Sequence, residues 1–164
     1  MMSSVYIHDA QEVVNQWLNG LGENRGALTL DHQGHCFLVS DNEVGLVISC
    51  GKESQQVVVM THLLNVPIPL SARLYEELLA VNINVEYTAG AQLCFDKKTR
   101  TIGLLVAREI NSLDEISFRN LLTNFKNKAL EIRELLEALL YDAPALASGM
   151  QPADRSSGAY SYHR

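Results

Sequence analysis

Apolar positions first recur at helical spacing near the N-terminus, at Val13, Val14, Trp17, Leu18 and Leu21, which predicts an amphipathic helix that ends where Gly20 and Gly22 break it. Asp9 followed three residues later by Glu12 is a capping-box pattern for its start. The period then changes from 3.6 to 2. Residues 27–31, 35–40, 44–50 and 56–64 read as four strands, with a turn at His32, Gln33 and Gly34, another at Asp41 and Asn42, and a polar loop at 51–54. Links this short favour an antiparallel meander. In the fourth strand Val57, Val58, Val59 and Met60 form a nearly continuous β-branched run, the pattern of a strand covered on both faces or placed at a subunit contact.

Pro67 and Pro69 stop that strand, Ser71 can cap a new helix, and Leu74, Tyr75, Leu78 and Leu79 put four apolar side chains on one face of a helix over 72–82. Asn82 falls at its exit, where an amide can satisfy frayed backbone groups. Residues 85–90 read as a loop or irregular strand. Residues 92–96 and 101–107 then form a hairpin around the 97–100 turn. Ser112 with Glu115 gives a second capping box, Asp114 and Glu115 add first-turn negative charge, and Phe118, Leu122, Phe125, Ala129, Ile132, Leu136 and Leu139 recur at steps of four and three. That predicts a long helix to about Tyr141, with Arg119, Lys126, Glu131 and Glu134 on its solvated face and Pro144 ending it. The fold class is α+β: helix, antiparallel strands, helix, two strands, long C-terminal helix. One domain over 1–142 is expected, followed by an Ala-, Ser- and Gly-rich tail over 143–164 that lacks periodicity and reads as disordered.

Net charge changes the functional picture. The chain carries −6, and because Arg155 and Arg164 outweigh Asp154 in the tail, the body is more negative still. A nucleic-acid backbone is a poor partner for such a body. No apolar run reaches the roughly 20 residues of a membrane span, and the polar start of the chain lacks the basic-then-apolar order of a signal peptide, so a cytoplasmic protein without membrane insertion is expected. Cys36, Cys50 and Cys94 are odd in number, widely spaced and set in apolar segments, the arrangement of buried free thiols.

Candidate chemistry is sparse. His32, His35 and Cys36 are close in sequence, but residues 35 and 36 of a strand point to opposite faces and no second ligand pair follows at zinc spacing, so a turn histidine and a packed cysteine are expected rather than a metal site. Gly51, Lys52 and Ser54 fail as a phosphate loop because Leu46 stands where the first glycine is needed. There is no nucleophile elbow, and Glu76 and Glu77 diverge on a helix surface. No enzyme and no cofactor are expected.

Protein binding remains. Trp17 beside Leu18 and Leu21, with Leu28, Leu30, Phe37 and Val39 of the first strands, reads first as core, yet a tryptophan-bearing helix at a sheet edge is also a way to leave an apolar patch for an extended peptide or partner helix. Tyr75 and Leu79 of the middle helix could face a twin subunit. At these residues the sequence resembles a known family. Leu28-Thr29-Leu30-Asp31 with Gly34-His35-Cys36, Leu74-Tyr75-Glu76-Glu77-Leu78-Leu79 with Asn82, the stretch from Gly90 to Phe95-Asp96, and Leu113 with Phe118 are together similar to the homodimeric class I chaperones of type III secretion, the Tir chaperone (CesT-like) family. The resemblance spans about residues 10–140 and rests on the ordered set rather than on any one motif.

The resemblance implies a cytoplasmic, ATP-independent homodimeric chaperone that binds the N-terminal segment of a secreted effector and keeps it soluble and export-competent, with the secretion ATPase as a further partner. It implies a dimer interface at Leu74, Tyr75, Leu78, Leu79, Leu93 and Phe95, and effector contact at Val14, Trp17, Leu18, Leu28, Leu30, Phe37 and Val39. Two copies of such a patch would hold one extended segment by effective concentration. A same-fold regulatory module that binds a transcription factor or an apparatus component is the alternative, since one fold serves several clients.

Overall fold

The computed structural model describes residues 9–22, 27–39, 44–66 and 71–147. Helix α1 (Ala10–Leu21) leads into β1 (His35–Leu38), β2 (Leu46–Ser49) and β3 (Gln56–Asn65). Helix α2 (Ala72–Ile83), β4 (Gln92–Asp96), β5 (Thr101–Glu109), a 3₁₀ turn (Ile110–Ser112) and α3 (Glu115–Ala147) follow. All strand pairs are antiparallel, in the order β1-β2-β3-β5-β4. The chain leaves β3 through α2, reaches the far edge as β4, and returns in β5 to pair with β3. This is the expected α+β architecture.

Residues directly opposite in a ladder share a face, so the register sorts the side chains. Cys36, Ile48, Val59 and Val106 form one cross-strand row, and Thr61, Leu104 and Leu93 form another on the same face. All of these are buried, together with Phe118, Leu122, Phe125, Ala129, Ile132 and Leu136 of α3. The four-and-three spacing of α3 is thus the stripe that covers this sheet face. A bulge in β3 shifts the register between His62 and Leu64, so that Leu64 opposes Ile102.

Three local expectations are corrected. Residues 27–31 are not a strand: the Leu30 N–H donates to Asn15 Oδ1 of α1 at 2.7 Å and the Asp31 N–H to the His35 carbonyl at 2.7 Å, so this backbone is satisfied locally. The cap of α3 is Asp114, whose carboxylate accepts the Ser117 N–H at 2.7 Å, while Ser112 turns its hydroxyl to the Glu109 carbonyl at 2.6 Å. Pro144 does not end α3, which runs to Ala147 and takes in the first residues of the expected tail. Proline's fixed φ is itself helical, so it does not by itself turn the backbone out of a helix, although past the first turn it forfeits a backbone bond and crowds the carbonyl four residues earlier. Residues 148–164 lie outside the described residues, as do the expected turn at Asp41 and Asn42 and the stop at Pro67 and Pro69.

Other caps form as read. Asp9 Oδ1 accepts the Glu12 N–H at 3.0 Å, and Ser71 Oγ accepts the Leu74 N–H at 3.2 Å. Hydrogen bonds from the Ser117 side chain and N–H hold the Asp114 carboxyl below its ordinary value of 3.8. The backbone N–H of His35 does the same for Asp31, and that of Lys98 for Asp96. A carboxyl depressed in the folded state stabilises it above the unfolded-state value and loses that contribution as pH falls through the folded one. The melting temperature is therefore expected to drop as pH is lowered below about 4. Asp114→Asn should flatten that dependence in a melting series across the same window.

Candidate functional site

The stripe of α1 is the first candidate surface, and it faces inward. Val14 and Leu18 have no accessible surface, and Trp17 is 8% exposed with its ring centroid 5.2 Å from that of Phe118. Arg119 of α3 donates to the Gly20 carbonyl at 3.1 Å and fixes the end of α1 against α3. Of the two readings of the tryptophan, core or exposed patch, this geometry is the core one. Leu28 and Leu30 are half-buried against the same core. Phe37 and Val39 are different, at 66% and 79% exposed.

Phe37 belongs to the sheet face that the helices do not bury. Its cross-strand row runs Phe37, Val47, Met60, Leu105. The next row runs His35, Ser49, Val58, Ala107. Val47, Val58, Met60 and Leu105 are all half-buried rather than enclosed, and an open cleft of about 380 Å³ lined by Phe37, Val39, Val47 and His62 lies at the β1 end. Within the protomer the β-branched run is fully covered on one face only. Val57 and Val59 point into the core, whereas Val58 and Met60 face outward in an apolar row. Sequence reasoning named Phe37 and Val39 but not Val47, Met60 or Leu105. Only the register, a non-local property, aligns these with Phe37.

The second surface is α2. Leu74 and Leu78 are buried, and Leu93 lies with them in the core. Tyr75, Leu79 and Ile83, at successive steps of four, are 41%, 66% and 84% exposed, and Val85 continues the stripe. Ile83 and Val85 were not among the expected residues, although the same spacing extended by one turn reaches Ile83. Half-buried Phe95 meets the Tyr75 ring edge-on at 6.4 Å, with Arg100 over its face at 5.5 Å. Tyr75, Leu79, Asn82, Leu93 and Phe95 line a notch of about 170 Å³ between α2 and β4.

Reactive chemistry gains no constellation. His35 Nδ1 lies 2.8 Å from Ser49 Oγ on the outer face, while Cys36 is buried on the inner one. Burial pushes the Cys36 and Cys50 thiols up, away from thiolate. Cys94 departs from expectation in being exposed, because it stands on the outer face of edge strand β4; its sulfur leans on Gly103, and desolvation raises its thiol as well. Among the described residues, no cluster of three or more His, Cys, Asp or Glu could hold a metal ion, and no helix is long and apolar enough to cross a membrane.

Comparison with known proteins adds three solved structures with this fold. A chain of the ExsC-ExsE complex aligns with a TM-score of 0.68 at 22% identity, covering 78% of this chain and 96% of that one. A chain of the HopA1-SchA chaperone-effector complex gives 0.56 at 20%, covering 75% and 88%. One of the heterodimeric ExoU-SpcU complex, from the type III secretion system of Pseudomonas aeruginosa, gives 0.55 at 19%, covering 75% and 93%. A comparison with curated protein sequences finds no match. The model of one sequence family matches residues 16–133, from within α1 through most of α3. The chain belongs to the Tir chaperone protein (CesT) family.

Proposed function

We propose that the protein is a cytoplasmic, ATP-independent type III secretion chaperone, without enzymatic activity, that dimerises and holds the N-terminal segment of an effector in an export-competent state. The observation that carries the reading is the apolar row Phe37, Val47, Met60 and Leu105 on the sheet face left open by the helices. A row of this kind offers an extended segment apolar contact without enclosing it. Family membership supports the reading, as does the likeness in fold to a chain of a chaperone-effector complex. The effector contacts proposed are Phe37, Val39, Val47 and Met60 on the outer face, and separately Leu28 and Leu30, which are half-buried against the core beside α1. The dimer contacts proposed are Tyr75, Leu79, Ile83 and Phe95, backed by buried Leu74, Leu78 and Leu93.

Purification from cells with an active secretion apparatus should recover a bound protein that is itself exported. Phe37→Asp should weaken that complex by about 10- to 100-fold, the loss of one large apolar contact, while leaving the melting temperature nearly unchanged because the side chain is exposed. Recovery of a transcription factor or an apparatus component instead would move the assignment to the regulatory alternative.

A further inference from the structure

Strand β4 is an edge of the sheet, and an edge strand leaves alternate N–H and C=O groups unpaired. At Leu93 these outward groups are both taken by one side chain. Asn82 Oδ1 accepts the Leu93 N–H at 2.7 Å, and Asn82 Nδ2 donates to the Leu93 carbonyl at 3.2 Å. The amide stands where the peptide group of a neighbouring strand would stand. Two residues earlier, the Ala91 N–H donates to the Thr88 carbonyl at 3.0 Å. By the alternation of the ladder, the next outward-facing backbone groups within β4 are those of Phe95, and five-residue β4 ends at Asp96.

Asn82 occupies the last turn of α2, next to Ile83 in the exposed stripe. Its two bonds therefore fix that turn, and with it the Tyr75, Leu79 and Ile83 stripe, against the sheet edge. We infer that Asn82 is a positioning residue that closes the β4 edge at Leu93, so that a second copy of this chain meets α2 through side-chain packing rather than through strand addition at β4. The inference rests on the dimer reading above. A carboxamide presents a donor and an acceptor side by side, and a strand that displaced it would leave the half-buried amide unpaired. A stripe held in place before association also avoids the entropy of ordering a loose helix on contact.

The test uses the full chain, with the dimer dissociation constant from sedimentation equilibrium and the exchange rate of the Leu93 amide. In Asn82→Leu, similar in size but without either bond, Leu93 exchange should rise about tenfold or more and the dimer should weaken by a similar factor, as expected for two lost hydrogen bonds. Asn82→Asp keeps the acceptor, so Leu93 should stay protected while the dimer still weakens. If Asn82→Leu fails to fold, Asn82→Ala, which also removes both bonds, decides by the same two readouts. Unchanged Leu93 exchange in Asn82→Leu overturns the clamp. Faster exchange with an unchanged dimer constant overturns its role in positioning the interface, and so does growth of higher oligomers in the unmutated protein through β4. A monomeric unmutated protein contradicts the dimer reading itself, and with it the second copy named here, while the exchange data still decide the clamp.

Discussion

Leu79→Asp is expected to give a folded protein that no longer dimerises, whereas Leu78→Asp, one residue away, is expected to unfold it. The two leucines sit on the same helix but meet different surroundings. Leu78 is 8% exposed and packs in the core with Leu74 and Leu93, so a carboxylate there would be buried without a partner, at a cost of several kcal/mol, a large part of a typical domain stability of about 5–15 kcal/mol. Leu79 is 66% exposed in the protomer, so the protomer tolerates the charge. In a two-fold interface it appears twice, each copy desolvated against an apolar stripe, and the association should weaken by about a thousandfold or more. Sedimentation and thermal melting of both variants separate the cases. A Leu79→Asp protein that remains a dimer would remove α2 from the interface.

Trp17→Ala carries the second large effect, on stability rather than binding. Truncating a buried Trp costs about 3–5 kcal/mol through lost transfer free energy and the cavity left behind. Here the cavity would open between α1 and Phe118 of α3, where Val14 and Leu18 have no accessible surface and cannot collapse far. Denaturant unfolding should show that loss, with effector affinity per folded molecule unchanged. Reduced affinity at full stability would place the tryptophan on the binding surface instead. Phe37→Asp is expected to give the opposite pattern, and the pair assigns binding to the outer sheet face and stability to α1.

The sequence disclosed those parts of the fold that rest on local rules. The caps at Asp9 and Ser71, the α3 stripe and the β4-β5 hairpin depend on spacing and on side chains a few residues apart, and all formed as read. Misreadings arose where a distant group decided. Residues 27–31 have the alternation of a strand, but Asn15 and His35 satisfy their backbone instead. The α3 cap is a local exception: Ser112 belongs to the preceding 3₁₀ turn and gives its hydroxyl to the Glu109 carbonyl, which leaves the cap to Asp114. On α2, Leu74, Tyr75, Leu78 and Leu79 all fall on the predicted apolar face, and periodicity cannot say which pair meets the protomer's own core and which stays exposed. Most of the outer apolar row was illegible for the same reason. Phe37, Val47, Met60 and Leu105 come from four strands and align only once the register is known. Asn82 was placed at the exit of its helix, but its true partner, Leu93, lies eleven positions on.

The central claim is that the open sheet face holds an exported client, and complementation of a deletion strain tests it most directly. Secretion of the co-purifying protein is measured in cells that lack this chain and then receive either the unmutated protein or Phe37→Asp. The predicted result is that deletion stops export, the unmutated protein restores it, and Phe37→Asp accumulates as a folded protein without restoring it. Export that continues unchanged in the deletion strain, or is restored equally by Phe37→Asp, would contradict the account.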